Sequence, residues 1–262
     1  GLVYGLLQYS RIRSSAIESK VEDLNQSFDE ALDTKKSMWT TNALQVAHNP
    51  VIEEGLATEN RNMCIRVLNR YGNTFAKHTT FNNVNVHLID TELSSFVKSW
   101  AQGDWREKLD YSTAYARALE DNEPSTVLEV SPKGLRLKGI FPVEYKGDLV
   151  GLASFEGRNL EFLYFLHEDY LGIANSLGGK SKVGSYILSQ KDLNDQFLSY
   201  VTDSLNLENA LDGYHFDSNY LTTARKVKGP DGKTAGIFVL GQKREFVTNL
   251  IAQNGNVMLV IG

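Results

Sequence analysis

Aromatic and charged side chains are concentrated between residues 87 and 141 in a pattern that suits the binding of a small molecule. Pockets for small ligands combine apolar walls with a few charges that fix the orientation of the ligand. Trp100 and Trp105 would supply the walls, because aromatic faces exclude water. The alternative is that both tryptophans belong to a hydrophobic core and that the lysines are solvated. The candidate site residues are His87, Phe96, Lys98, Trp100, Trp105, Tyr111, Glu129, Arg136, Lys138 and Phe141.

The charged members of this set suit different groups on a ligand. Lys98, Arg136 and Lys138 are candidate anchors for a negative or carbonyl group, whereas Glu129 would suit an amine if it faces inward. Arg136 and Lys138 lie two residues apart, so in a strand they share one face of the sheet. That face could point either to a ligand or to solvent.

Sequence patterns typical of enzymes are missing from the chain. It contains no Gly-x-Ser-x-Gly, no Gly-rich phosphate loop and no His-Glu-x-x-His. Its five histidines are scattered without metal-ligand spacing, and a lone histidine in a strand, such as His87, is most often a structural group. The single cysteine, Cys64, lies among apolar residues and excludes an internal disulfide. We therefore expect a protein that is not an enzyme, with no catalytic residue, no metal site and no cofactor.

Composition sets further limits on the fold and the partners. A chain of 262 residues suits one large or two small domains. A hydrophobic content of 42% and a charged content of 23% are ordinary for a globular protein. The formal net charge of −5 argues against nucleic acid as a partner, because phosphate binding needs a basic surface.

A long helix must precede the candidate site. No glycine or proline interrupts the stretch from residue 11 to residue 47, and the pair Asn49-Pro50 should end it. Such a helix would exceed about 50 Å, so two modules stack along it, or a second copy of the chain does, or both. Apolar residues recur along one side at steps of four and three, at Ile17, Val21, Leu24, Phe28 and Ala31.

Further periodicities predict a mixture of helices and strands after Pro50. Thr58 is expected to cap a second helix that continues to Phe75. Residues 91–115 are expected to form short helical pieces and loops, with helices at 111–119 and 192–203. The predicted strands are 84–89, 127–130, 136–144, 149–155, 161–166, 220–227 and 235–240, with extended pieces at 172–175 and 183–188.

Two hairpins echo each other along the chain. In the first, Val143 precedes a turn and Gly151 follows it, and Val227 and Gly236 do the same in the second. The valines are 84 residues apart and the glycines 85. Because each hairpin follows a strand, a helical region and further strands, the pattern predicts a tandem duplication. The expected α+β architecture is a long helix (1–50) and two modules (51–157 and 158–262), each an antiparallel sheet with flanking helices.

Both ends of the chain are apolar, at residues 1–7 and 256–262. Neither stretch reaches the roughly 20 residues that a spanning helix needs, so we expect no complete transmembrane segment and no signal peptide here. Two interpretations stay open at this point: the ends belong to two membrane helices that flank the domain, or they pack on its body.

Several stretches resemble the sensory region of bacterial methyl-accepting chemotaxis receptors, and more narrowly the double-Cache class. They are residues 44–49 (LQVAHN), 86–88 (VHL), 95–100 (SFVKSW), 135–143 (LRLKGIFPV) and 184–191 (GSYILSQK). The resemblance implies a periplasmic domain of an inner-membrane receptor, anchored by two membrane helices, with two PAS-like Cache modules after a long helix. It also implies a small-molecule ligand, usually in the membrane-distal module, and a homodimer through the N-terminal helix, here expected along the stripe from Ile17 to Phe28.

The resemblance leaves the ligand and the output open. The similar receptors carry arginine where this chain has Lys98 and Lys138, and lysine lacks the planar fork that grips a carboxylate with two bonds. An amino acid, an organic acid or an amine therefore all stay candidates. The alternatives to a chemoreceptor are the same module on a histidine kinase or cyclase, and a free solute-binding or interaction domain.

Overall fold

The computed structural model describes residues 2–78, 85–131, 134–157, 163–167, 181–183, 186–189 and 195–261. The helices of this part are α1 (Leu2–Ala47), α2 (Pro50–Ala57), α3 (Arg61–His78), α4 (Thr113–Asp121), α5 (Asp195–Asp203), α6 (Leu207–Leu211) and α7 (Arg244–Ile261). The strands are β1 (Asn85–Ile89), β2 (Ser95–Lys98), β3 (Ser125–Ser131), β4 (Gly134–Tyr145), β5 (Asp148–Gly157), β6 (Leu163–His167), β7 (Ser181–Val183), β8 (Tyr186–Ser189), β9 (His215–Phe216), β10 (Tyr220–Lys228) and β11 (Thr234–Lys243).

The strands form two separate sheets, and this confirms the predicted α+β class. The first sheet has the order β2-β1-β5-β4-β3, and the second has the order β7-β8-β6-β11-β10-β9. Neighbouring strands of both sheets pair antiparallel. Because no strand pair joins the two sheets, the structure rules out one continuous sheet for the described residues.

The two echoing hairpins have the same register. Val143 pairs with Gly151, and Val227 pairs with Gly236. In each hairpin the register shifts directly after the valine. The valine–glycine echo in the sequence therefore marks equivalent positions in the two sheets.

Helix α1 packs on both sheets: its C-terminal part, around Trp39, lies against the first sheet, and its part from Ile17 to Phe28 lies against the second. The Trp39 ring meets Phe155 edge to face at 5.6 Å, and the Phe28 ring lies 5.1 Å from Phe238. Nearer its start, Ile17 belongs to a buried cluster with Leu221. One helix thus joins both sheets, as its length predicted.

The apolar stripe of α1 is buried inside the chain, which corrects the expectation that it contacts a second copy. Ile17 is 4% exposed and Phe28 is 2% exposed, and the second sheet covers both. Leu24 and Val21 are half-buried against the same clusters. A stripe that its own sheet covers is not available to another chain.

Several helix boundaries differ from the predicted ones. Pro50 is the first residue of α2, where its missing N–H costs nothing, and the side chain of Asn49 accepts the Val51 N–H at 3.0 Å. Thr58 ends α2 rather than capping the next helix, because its backbone N–H donates back to Glu54. Strand β2 lies inside the segment expected to be helical pieces and loops.

The C-terminal segment from Arg244 is helical and packs on α1. Val247 and Ile251 are buried against Ala16 and Ile17. Within the described part of the chain, no helix combines the length and the hydropathy that crossing a membrane requires. Leu6 and Leu7 of α1 are exposed and do not pack on the body. The predicted extended piece at 172–175 lies outside the described residues.

A tight contact between α1 and β5 generates a stability prediction. A Cβ atom at Gly157 would lie 2.1 Å from the Trp39 ring. The sheet can approach the helix this closely because residue 157 has no side chain. Gly157→Ala should lower the free energy of unfolding by about 1–3 kcal/mol, because the ring must move. Gly72→Ala in α3 is the control, since nothing lies within 4 Å of its Cβ position and alanine favours a helix. Equal urea midpoints for Gly157→Ala and the parent chain would contradict the packing.

Candidate ligand-binding site

Strand alternation divides the first sheet into an apolar face against α1 and a polar face opposite. Leu88, Leu137 and Phe155 face α1 and belong to the main hydrophobic core. The alternate residues form the polar face, which α4 covers together with residues 99–112, here called the covering loop. The central residues of the polar face are all buried, and we call them the polar cluster: His87, Glu129, Arg136, Lys138 and Glu156.

Glu156 is held at the centre of the polar cluster by three neighbours. His87 contacts it through Nδ1 at 3.3 Å, and the Tyr115 hydroxyl of α4 donates a short hydrogen bond to the same oxygen. The Nε of Arg136 lies 3.9 Å from the other oxygen. The second nitrogen of His87, Nε2, lies 2.9 Å from the Ser95 hydroxyl. A neutral imidazole that donates from Nδ1 and accepts at Nε2 satisfies both contacts.

Glu129 forms the second half of the cluster. Lys138 donates to it at 2.7 Å, and the Ser112 hydroxyl donates to the same oxygen at 2.6 Å. The backbone N–H of Ala114, in the first turn of α4, donates to its other oxygen at 3.0 Å. Glu129 therefore binds both a buried cation and the positive end of α4. The ammonium of Lys138 also lies 4.0 Å from the centre of the Tyr115 ring.

Burial shifts the pKa values of three groups at this place, His87, Glu156 and Tyr115. Burial lowers the pKa of His87; the hydrogen bond and the charge of Glu156 oppose this shift, and the charges of Lys98 and Lys138 add to it. Burial alone would raise the pKa of Glu156, but the His87 hydrogen bond and the charges of Lys138 and Arg136 hold it well below its usual range. Burial and the nearby Glu156 raise the pKa of Tyr115. The site thus presents a neutral imidazole and an ionised carboxylate side by side.

The covering loop lies over the polar cluster and is tied to its surroundings. The Trp100 ring meets His87 edge to face at 5.7 Å, and Leu109 of the loop is fully buried. Backbone hydrogen bonds join Arg106 N–H to Ser95 O at 2.7 Å and Ser95 N–H to Glu107 O at 2.8 Å. From α3, Arg61 donates to Phe96 O at 2.7 Å and to Gln102 O at 2.8 Å. A molecule must displace this loop to reach the cluster from that side.

The structure brings seven of the ten predicted site residues to this region. His87, Arg136, Lys138 and Glu129 belong to the polar cluster, and Trp100 and Tyr111 lie in the loop that covers it. Lys98 pairs with His87 across the strands, and its ammonium contacts Glu107 of the loop.

Phe96, Phe141 and Trp105 lie elsewhere, which corrects the predicted outline of the site. Phe96 belongs to the core on the α1 side, and Phe141 packs on that core with its ring 5.9 Å from His48. Trp105 is 45% exposed on the outer surface, between the guanidinium groups of Arg61 and Arg106. The expected apolar wall at Trp105 is therefore absent from the polar face.

Sequence reasoning missed Glu156, Tyr115 and Ser112. Glu156 lies one residue beyond the predicted end of its strand, at 155, although Ser154 two residues earlier already marked a polar position on that face. Tyr115 fell inside a predicted helix, and the partner of its hydroxyl depends on the tertiary fold.

The second sheet lacks this charge cluster at the equivalent positions. Counting from the paired valines and glycines, Lys138 corresponds to Thr222, and Glu156 corresponds to Gly241. A Cβ atom at Gly241 would lie 2.3 Å from the Phe197 ring, so an aromatic side chain fills the place that the Glu156 carboxylate has in the first sheet. Among the described residues, the buried charge cluster belongs to the first sheet.

Comparisons with solved structures identify the fold. The sensor domain of the histidine kinase DctB from V. cholerae matches with a TM-score of 0.52 and 12% identity, over 88% of this chain and 98% of that one. The ligand-binding domain of the Campylobacter jejuni chemoreceptor Tlp3 in complex with 4-methylisoleucine matches with a TM-score of 0.52 and 12% identity, over 90% and 94%. The same domain in complex with L-valine gives a TM-score of 0.50 and 14% identity, over 90% and 97%.

No protein-family model and no curated protein matches the sequence. At such low identities, the structural matches establish the fold. The chain has the fold of a Cache-type sensory domain, which is the fold that the resemblance in the sequence implied.

The buried imidazole predicts a pH dependence. An unfolded histidine takes up a proton below about pH 6.5, whereas folded His87 has a lowered pKa and stays neutral. The unfolded state then binds more protons, so stability falls as the pH drops through about 6.5, by at most about 1.4 kcal/mol per pH unit. Urea unfolding between about pH 7 and about pH 5 should show a smaller loss for His87→Gln. The exposed His78→Gln should keep the parent slope, and equal slopes for all three chains would refute this origin.

The contacts of Arg61 predict that it holds the covering loop in place. Arg61→Ala removes two hydrogen bonds to backbone carbonyls, so the amides of Ser95 and Arg106 should exchange hydrogen about tenfold faster or more. Arg66→Ala, on the exposed side of the same helix, should leave them unchanged. Hydrogen–deuterium exchange measures both, and equal rates in the two variants would show that Arg61 does not hold the loop.

Proposed function

We propose that this chain is the extracytoplasmic ligand-binding domain of a transmembrane chemoreceptor, and that a small molecule binds on the polar face of the first sheet. In this proposal residues 1–50 form the long helix, residues 51–157 the membrane-distal module and residues 158–262 the membrane-proximal module. The observation that carries the proposal is the polar cluster itself.

Buried charges argue for a function at this place. Removing ions from water costs several kcal/mol each, and paired apolar residues of similar volume often stabilise a fold equally well or better. The second sheet supports this argument, because it has the uncharged residues Thr222 and Gly241 where the first sheet has Lys138 and Glu156. Strongly shifted pKa values on one face of one module are typical of a functional site.

The charge balance of the site favours a ligand with both signs of charge. Each candidate anchor already faces a carboxylate: Lys138 faces Glu129, Lys98 faces Glu107, and Arg136 faces Glu156. A ligand with a single charge that binds one member of a pair would leave the other member without a partner. A zwitterion can bind both members, because it carries a group of each sign. We therefore favour an amino acid over an organic acid or an amine. The amino acids bound in the Tlp3 structures agree with this choice.

A route from the site to α7 passes through the contact between the sheets. Glu129 lies in β3 between Leu128 and Val130, whose side chains share a core with Phe238 of β11. Strand β11 ends at Lys243, and α7 begins at the next residue. A ligand that prefers one position of β3 would shift the population of one position of α7. This route supplies the coupling that a membrane receptor needs.

The type of output domain stays a proposal. The matched structures include a histidine kinase sensor and a chemoreceptor, so the same module on a histidine kinase or cyclase is the second candidate. The sequence that follows this domain in the gene discriminates between them. A long coiled coil supports the chemoreceptor, and a catalytic domain supports the alternative.

Membrane anchoring, a periplasmic location and a homodimer belong to the same proposal. Because the apolar stripe of α1 is buried, a dimer along α1 would use its exposed face, which includes Glu22. A cysteine at Glu22 should form a cross-link in the membrane-bound receptor, and Cys64 does not interfere because it is buried. If exposed positions along α1 give no cross-links, the homodimer along this helix is wrong.

A thermal-shift screen tests the binding function directly. Amino acids, organic acids, amines and purines are added to the purified domain, and we expect an amino acid to raise the melting temperature by several degrees. Lys138→Met should weaken its affinity by about tenfold or more, because it removes a charge-assisted contact. Lys138→Arg, which keeps the charge, should bind more tightly than Lys138→Met.

Lys228→Met on the exposed part of β10 is the matched control and should bind like the parent chain. A ligand that binds Lys138→Met and the parent chain equally well lies outside the polar cluster, and the site assignment then fails. The cleft lined by Tyr200 and Tyr220 beside the second sheet would be the next place to examine.

A further inference from the structure

The start of α2 and one side of α3 enclose a cleft of about 460 Å³. Met63, Val67 and Tyr71 of α3 and Val51 of α2 form its apolar walls. The three α3 residues are spaced by four, so they lie one above another on a single side of the helix. The Tyr71 hydroxyl donates to Gln45 O at 3.3 Å, which turns the polar end of this side chain towards α1.

Two guanidinium groups also line the cleft. Arg66 and Arg70 are four residues apart, and both are exposed. Like charges at this spacing destabilise a helix slightly. Neither arginine forms an ion pair with a carboxylate of the described residues, and no lining residue is acidic. In a chain with a net charge of −5, an apolar cleft with two such cations is complementary to an anion.

This cleft is separate from the polar cluster. Helix α3 packs on the α1 side of the first sheet, where the Phe75 ring lies 6.1 Å from Phe155. The neighbouring residue Glu156 points to the opposite face. A molecule in the cleft and a molecule at the polar cluster would therefore lie on different sides of the same sheet.

We propose that this cleft is a second binding site, and that it takes an amphipathic organic anion. The apolar part of the anion packs against Val51, Met63 and Val67, where it removes apolar surface from water. Its carboxylate or sulfonate is held by Arg66 and Arg70, whose planar forks suit such groups. The helix dipole of α2, whose first turn lies at the cleft, adds partial positive charge on the same side.

Two probes of this chemistry test the site in the purified domain. Anilinonaphthalene sulfonate gives a fluorescence signal, and dodecanoate is the competitor. We expect saturable binding of one dye molecule per chain, displaced by dodecanoate but not by dodecylamine or acetate. The double variant Arg66→Gln/Arg70→Gln should weaken both anions by about tenfold or more, as expected for the loss of charge-assisted hydrogen bonds. Its melting temperature should stay close to that of the parent chain, because both side chains are exposed.

Arg117→Gln on the exposed side of α4 is the matched control and should bind the dye like the parent chain. Unsaturable dye binding, or equal affinity in the double variant and the control, would overturn the proposal. Loss of dye binding in Lys138→Met alone would also overturn it, because the dye would then occupy the polar cluster. The test is independent of the function proposed for that cluster, since either site can be lost without the other.

Discussion

The burial of one face of α1 is the constraint on which the rest of the structure depends. A helix of 46 residues is about 70 Å long, and one compact core cannot cover it. Its apolar side chains are therefore shared between two sheets, with Trp39 against Phe155 of the first and Phe28 against Phe238 of the second. One hydrophobic core contains residues of both sheets and of α1. The two sheets are consequently parts of a single packed body.

This use of α1 decides where polar chemistry can lie. The first sheet gives one face to the helix, and that face must be apolar to exclude water. Its other face is covered by α4 and the covering loop, which supply hydrogen-bonding groups such as the Tyr115 hydroxyl and the Ala114 N–H. Charged side chains can be buried there because each finds a partner of opposite sign. The second sheet, built on the same register, fills the equivalent place with the Phe197 ring.

The sequence predicted the fold better than it predicted the outline of the site. Hydrophobic periodicity located α1 and the long strands, and the valine–glycine echo identified positions that are equivalent in the structure. Periodicity cannot tell whether an apolar stripe meets its own sheet or a second copy, and this is why the stripe of α1 was assigned to a dimer. The chain itself buries that stripe.

The failures within the site follow from local geometry. Arg136 and Lys138 were correctly expected to share a face, but the same alternation places Phe141 on the other one. Trp105 lies in a loop, where no periodicity indicates which way a side chain points. Glu156 was missed because strand ends are the least certain part of such predictions. The other charged residues of the cluster were found from their types, and their pairing required the tertiary structure.

The central claim is that the polar face of the first sheet binds the ligand and is coupled to α7. The most direct test is hydrogen exchange of the domain, measured with and without an amino acid that stabilises it. We predict slower exchange in the covering loop and at the Ala114 N–H, which donates to Glu129. We also predict a changed rate at the Arg244 N–H, which donates to Asn219 O at the start of α7. Protection confined to the second sheet, with none at Ala114, would contradict the claim.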